Sequence, residues 1–219
     1  MNFEKFVNSK FYGVVDWILK LLIINFFVLI LSLPIITITP AFVTGYSTIK
    51  HFRTKRNDNI FIVIFNKFKE HFLKSFLCGL IIIPIIGILV FAVIFYNQLS
   101  IETNHFFYIF AWAFLIFSLI IILVIFFQLP MIIEYFNFRL LDNFRFGFFM
   151  SIRFISLTLI LIVIWGLSIA LFKYFISVWI GIGLAGALFL VDVFSRRYYD
   201  IISQGVKNQY KEDKENNHD

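Results

Sequence analysis

Residues able to do chemistry are few and scattered in this chain. The histidines are His51, His71, His105 and His218, and Cys78 is the single cysteine. None falls into H-E-x-x-H or C-x-x-C, and no G-x-x-x-x-G-K-[ST] occurs. One cysteine makes neither an internal disulfide nor a multi-cysteine metal site, so Cys78 reads as a small apolar filler. Gly45 to Ser47 lies near hydroxyl and basic residues but lacks a glycine pattern for phosphate. Chemistry inside a membrane calls for paired carboxylates, or a nucleophile beside a base, within the apolar stretches, and none is evident. The expectation is a protein that is not an enzyme and holds no cofactor or metal.

The polar and conformationally special residues within the apolar runs are the remaining candidates, because such positions are often functional. Asp16 and Lys20 are spaced for an i,i+4 ion pair. Asn25 sits near mid-run and can hydrogen-bond a neighbouring helix, an effect of about 0.6–2 kcal/mol; packing is the preferred reading over a ligand contact. Gln128 and Asp192 lie near the ends of runs, and Asp192 has Arg196 four residues later. Pro84 is expected to kink its helix or free a carbonyl near Leu80. Pro34 and Pro40 bracket a stretch that either leaves the membrane or re-enters it. Ser177, Gly181 and Ala185, with Gly183 and Ala187, have the small-residue spacing that lets helices approach closely. Their partner could be another helix of this chain, a second copy or a different subunit.

The elements that position these residues follow from composition. Of 219 residues, 61% are hydrophobic and only 15% charged, against about 25% charged in a soluble domain. A globule of this size could not hide so much apolar surface. Five runs are long enough to cross a hydrocarbon core of about 30 Å: Asp16–Leu33, Phe76–Tyr96, Phe106–Leu129, Phe154–Phe172 and Tyr174–Phe194. Backbone groups must be paired within lipid, so these are helices. A run such as Leu119–Phe127 has none of the alternation of a barrel strand. The expected fold class is all-α, a polytopic helical membrane protein with about five transmembrane helices plus cytoplasmic amphipathic helices. It forms a single membrane domain over residues 1–205. The first run is followed by no small-residue cleavage site, so it is expected to stay in the mature protein rather than to act as a signal peptide.

Orientation follows from lysine and arginine. Placing the C-terminus in the cytoplasm puts 15 of the 19 basic residues there, leaving Lys5, Lys10, Lys20 and Lys173 as exceptions. The chain is expected in the cell membrane with its C-terminus inside and, for an odd number of crossings, its N-terminus outside. The net charge of +6 then points to anionic lipid of the bilayer rather than to nucleic acid.

The connection over residues 34–75 reads as cytoplasmic and helical. Thr39-Pro40 looks like an N-cap followed by proline at the first helical position. Arg56-Asn57-Asp58-Asn59 is a turn signal. Phe61, Phe65, Phe68, Phe72 and Phe76 mark one helical face, with Lys67, Glu70 and Lys74 on another. Glu70 and Lys74 are placed for an i,i+4 pair. This is either a helix lying in the membrane interface or a cytoplasmic extension of the second span. Phe136, Leu140, Phe144 and Phe148 give Met131–Arg153 a similar character. Residues 206–219 form a polar cytoplasmic tail with a disorder-prone composition.

Leu21-Leu22-Ile23-Ile24-Asn25, then Leu31-Ser32-Leu33-Pro34-Ile35-Ile36-Thr37-Ile38-Thr39-Pro40-Ala41, then Tyr46 and Lys50, resemble the N-terminal signature of the YesL-like family of bacterial membrane proteins, a domain of unknown function. Phe65-Asn66-Lys67-Phe68-Lys69 fits its Phe/Lys-rich segment, and Tyr135 to Leu157 fits more loosely. Thr39 stands where the family pattern has glycine. The resemblance implies context rather than chemistry, because genes of this family often neighbour those of carbohydrate ABC importers. The expected function is therefore a non-catalytic accessory or regulatory protein associated with carbohydrate uptake, with ABC importer subunits or a second copy as partners. The alternative is a permease-like component that itself conducts a small solute, with Asn25, the Pro34–Pro40 break and Pro84 along the route.

Overall fold

The structure, a computed structural model, describes residues 10–55, 57–103, 105–136 and 138–216. The described residues are almost all helical, with no strand among them. Helix α1 covers Lys10–Ser32, α2 Ile38–Thr54, α3 Ile60–Thr103, α4 Phe106–Tyr135, α5 Leu140–Arg153 and α6 Ile155–Tyr174. A short helical turn, Ile176–Val178, and a π-helical turn, Trp179–Gly183, lead into α7, Leu184–Asn216. Among the described residues, five helices are long and apolar enough to span a bilayer. The chain is a polytopic helical membrane protein.

The largest departure from the sequence reading is the place of α2. It was expected in a cytoplasmic connection, yet every residue from Thr39 to Ile49 is buried, and Phe52 too. Helices α1, α3, α4 and α7 pack around it. Its threonines, serine and tyrosine make it too polar to face lipid, and its four apolar neighbours take that role instead. Close approach needs small residues. A Cβ on Gly45 would meet Val28 at 2.7 Å and Leu188 at 2.9 Å, and one on Gly79 would meet the Thr39 hydroxyl at 2.6 Å.

Residues 33–37 reverse the chain so that α2 runs back along α1. Leu33 and Pro34 are exposed in this turn. The Thr37 hydroxyl donates to the carbonyls of Leu31 and Pro34, and the Thr37 N–H also bonds Pro34. The helix begins two residues earlier than Thr39-Pro40 suggested: Thr37 is the N-cap and Pro40 the third helical residue. Proline is tolerated there because the first four N–H groups of a helix have no intrahelical acceptor. Gly45 lies against Ile24 and Val28, and the Lys20 ammonium sits 4.9 Å over the Phe52 ring.

The later helices continue the alternation. His51 meets Asp58 and Gly79 meets Thr39, so α3 runs opposite to α2. Glu134 returns to Ser47 at the end of α4. Ser168 meets Trp179 and Ser156 meets Tyr198, so α6 and α7 form a further hairpin. Arg53 and Asp192 place the C-terminal part of α7 beside that of α2. With α2 counted, six helices alternate in direction. The start of α1 and the end of α7 therefore share one end of the bundle, here called the basic end. The expected N-outside, C-inside arrangement rested on an odd count that omitted α2.

Helix α3 is continuous over 44 residues, about 66 Å at 1.5 Å per residue, so the second span and its preceding aromatic segment are one rod. Pro84 lies inside it, exposed on the outer face. In α5 the buried face is Asn143, Gly147 and Met150 rather than the phenylalanine face; a Cβ on Gly147 would meet Ile125 and Ile132 of α4 at 3.2 and 3.3 Å. The polar C-terminal segment stays helical to Asn216; residues 217–219 lie outside the described residues.

Candidate functional site

Two polar constellations stand out within the bundle. The first surrounds Asn25, which is completely buried. Its amide donates to the carbonyls of Ile180 at 2.6 Å and Trp179 at 3.3 Å, and its carbonyl accepts the Ala185 N–H at 2.8 Å. These groups flank the π-helical turn. A π-turn pushes hydrogen bonds out of the i→i−4 register, and freed backbone groups inside a membrane must find other partners. Asn25 provides both a donor and an acceptor to them. The Trp179 indole folds over Gly183, leaving no room for a Cβ there, and donates to Ser168 at 3.1 Å.

The small-residue stripe is therefore only partly what its spacing suggested. Ala185 is buried against α1, whereas Ser177 is exposed, and a Cβ on Gly181 would make only ordinary contact with Leu22 at 3.6 Å. The π-turn breaks the four-residue register. Gly183, Gly45 and Gly79 are the glycines where an added Cβ would clash most severely, and Gly147 is nearly as tight.

The second constellation lies at the basic end and has Glu134 at its centre. The Ser47 hydroxyl donates to Glu134 Oε2 at 2.6 Å, His71 Nε2 approaches the same oxygen at 3.0 Å, and Lys50 Nζ lies 3.2 Å from Oε1. Lys50 also sits 3.5 Å over the Tyr135 ring. Helices α2, α3 and α4 are thus tied through one carboxylate whose side chain is only 11% exposed. Alongside, Arg53 donates to Asp192 at 2.7 Å, joining α2 to α7. Tyr46 lies beside Asp192 and Ser195 beside Tyr46; all three are buried, and Tyr46 Oη, Ser195 Oγ and Asp192 Oδ1 have no hydrogen-bond partner among the described residues. Gln128 continues the polar seam, taking Tyr199 at 3.5 Å and donating to Ser151 at 3.1 Å.

Serine, histidine and glutamate in contact invite comparison with a hydrolytic triad. In a triad the imidazole takes the serine proton on one nitrogen and is oriented through the other. Here His71 Nε2 faces both Ser47, at 3.5 Å, and Glu134. Ser47 gives its hydrogen to the carboxylate and has no exposed surface. The arrangement is a clamp between helices rather than an activated nucleophile. No group of three metal-ligating side chains occurs among the described residues.

This set escaped the sequence reading, which saw no carboxylate or histidine cluster among the helices. Ser47 and Glu134 are 87 positions apart, and no spacing rule joins them. The one available signal was Glu134 itself, a carboxylate immediately following an apolar run. Of the local pairs, Asp16–Lys20 forms at 2.8 Å. Glu70 turns instead to Lys67 at 2.9 Å, while Lys74 donates to the Phe136 carbonyl. Asp192 takes Arg53 rather than Arg196 as its hydrogen-bonded partner. Cys78 is fully buried, with the Asn143 amide 3.7 Å from its sulfur. Asn25, Pro34 and Pro84 do not meet: Asn25 is buried against the π-turn, Pro34 lies in the exposed hairpin turn and Pro84 on the outer face of α3.

Residues 19–93 match the family described as "Protein of unknown function, DUF624". The match covers Asn25, Ser47, Lys50, Arg53 and His71, while their partners Glu134 and Asp192 lie beyond it. No curated protein and no solved structure matches the chain.

Proposed function

We propose that this chain is a non-catalytic accessory or regulatory membrane protein associated with carbohydrate uptake, acting by contact with ABC importer subunits. The observation that carries this reading is the α3–α4 hairpin. No residue of α3 after Ile82 is buried, and none of α4 before Val124. The pair forms an arm that the rest of the chain leaves uncovered. Helices in lipid associate by packing, so a long two-helix arm offers surface for a partner's spans. The polar side chains that join the helices, by contrast, mostly bond one another or the backbone, Glu134 with Ser47, Lys50 and His71 and Arg53 with Asp192, which fits structural rather than catalytic use. The carbohydrate context comes from the YesL-like pattern over Leu31–Ala41 and is analogy.

A photoactivatable residue at Phe91 or Phe110, both exposed on the arm, is expected to cross-link the membrane subunits of a sugar importer in native membranes. Adducts with lipid alone, or with a second copy alone, would overturn the importer reading.

The basic end belongs in the cytoplasm on this reading, with both ends of the bundle's path there. Lys20 then joins the fifteen basic residues of the loops and tail instead of opposing them, as the positive-inside rule asks. Topology reporters fused ahead of Met1 and after Asp219 should both report a cytoplasmic location. An external signal from the N-terminal fusion would refute the six-crossing topology.

A further inference from the structure

Two openings at the basic half of the molecule adjoin each other. One is an apolar groove of about 470 Å³ between α1 and α3, lined by Phe27, Leu31, Phe61, Phe65 and Phe68. The other, about 350 Å³, is lined by His51, Asp58, Asn59 and Lys67. Ile62 and Asn66 line both and mark their shared border. An apolar slot leading into a polar pocket has the shape and polarity of one amphiphile.

We propose that this double opening holds a single phosphatidylethanolamine. One acyl chain lies along the phenylalanines, the phosphate meets Lys67 and Asn59, and the primary ammonium meets Asp58. The charge in the pocket selects the headgroup. It contains one lysine and one carboxylate, which match a zwitterion. An anionic glycerol headgroup would face Asp58 without a counter-charge. A choline headgroup has no N–H to donate to it.

Each of these groups has hydrogen-bonding capacity left. Asp58 receives His51 on Oδ2 at 2.7 Å, and a carboxylate accepts on both oxygens. Lys67 bonds Glu70 at 2.9 Å with one of three ammonium hydrogens. Asn59 spends its side-chain oxygen on the Phe61 N–H at 3.0 Å, capping α3, and keeps its amide hydrogens. The exposed Phe61 and Phe65, 57% and 66% accessible, beside Lys67 and Lys69 place this first stretch of α3 at the level of lipid headgroups.

Native mass spectrometry of the full chain with equimolar phosphatidylethanolamine, phosphatidylglycerol and phosphatidylcholine tests this. The expected result is one retained lipid, with phosphatidylethanolamine favoured over phosphatidylcholine by about tenfold, as for one charge-assisted hydrogen bond. Asp58→Asn should remove that preference, Lys67→Gln should weaken retention of all three, and Lys69→Gln, outside the opening, should change nothing. Ile62→Trp, at an exposed position where the openings join, should displace the lipid without touching the charges. Equal retention of the three lipids, a preference for phosphatidylglycerol, or unchanged selectivity in both Asp58→Asn and Ile62→Trp would overturn the proposal.

Discussion

Glu134→Ala is expected to destabilise the bundle by about 3–5 kcal/mol, the usual effect of removing one member of a buried charged pair. The loss comes less from the missing attraction than from what remains. Lys50 keeps its charge with a side chain only 23% exposed, and Ser47 loses its acceptor inside the protein. Glu134→Gln should recover part of the loss, because an amide oxygen still accepts from Ser47, but it leaves Lys50 unpaired. Adding Lys50→Met to Glu134→Gln should therefore restore stability relative to Glu134→Gln alone, the coupling expected of residues in one network. Thermal or denaturant unfolding of the detergent-solubilised protein provides the measurement. A Glu134→Ala protein that unfolds at the same midpoint as the parent would show that the cluster does not hold the helices together.

Asn25→Leu comes second in expected effect. Leucine has the same branching and number of heavy atoms as asparagine and suits an apolar span, so hydropathy alone predicts a gain. The structure predicts the opposite. Asn25 serves the carbonyls of Trp179 and Ile180 and the N–H of Ala185, and each buried group left unpaired costs about 1–3 kcal/mol. Interhelical hydrogen bonds measured in membranes average lower, near 0.6 kcal/mol, since the unfolded reference also finds partners. Three bonds at a fully buried position then give a net loss of about 2–4 kcal/mol. The local readout is hydrogen exchange at the Ala185 amide, which should quicken in Asn25→Leu well before global unfolding. An amide that exchanges as in the parent would mean the π-turn stands without Asn25.

The sequence reading succeeded where a residue's behaviour depends on its immediate neighbours. The run Phe106–Leu129 lies within α4, and Phe154–Phe172 lies within α6 but for Phe154, its N-cap. Asp16 and Lys20 pair as their spacing requires. The partners of Asn25 are of the other kind: Trp179, Ile180 and Ala185 lie more than 150 positions away, and no local spacing points to them. Glu70–Lys74 failed although the spacing was favourable, because the Phe136 carbonyl competes for Lys74 and Lys67 is available to Glu70. Asp192–Arg196 failed for the same kind of reason, since α2 brings Arg53 within 2.7 Å.

Helix α2 shows where reading by hydropathy stops. Ile38–Thr54 contains threonines, a serine, a tyrosine and several basic residues, and hydropathy assigns such a stretch to water. Hydropathy reports which surfaces can face lipid; it is silent about a helix wrapped by other helices, whose polar side chains are shielded from lipid by those neighbours. Among them Thr44 bonds the Pro40 carbonyl of its own helix and Ser47 bonds Glu134.

By itself the sequence determined that this is a helical membrane protein with five long apolar spans, because any helix facing lipid must be apolar whatever it packs against. It also showed where the basic residues cluster, while leaving open whether the chain leaves or re-enters the membrane at Pro34–Pro40. Only the tertiary structure decided that α2 is the central helix, that Glu134 binds Ser47, Lys50 and His71, that Arg53 reaches Asp192 across 139 positions of chain, and that Asn25 holds a π-turn. Those partners are chosen by which helices pack together and at what register, and neither is encoded in the spacing along any single helix.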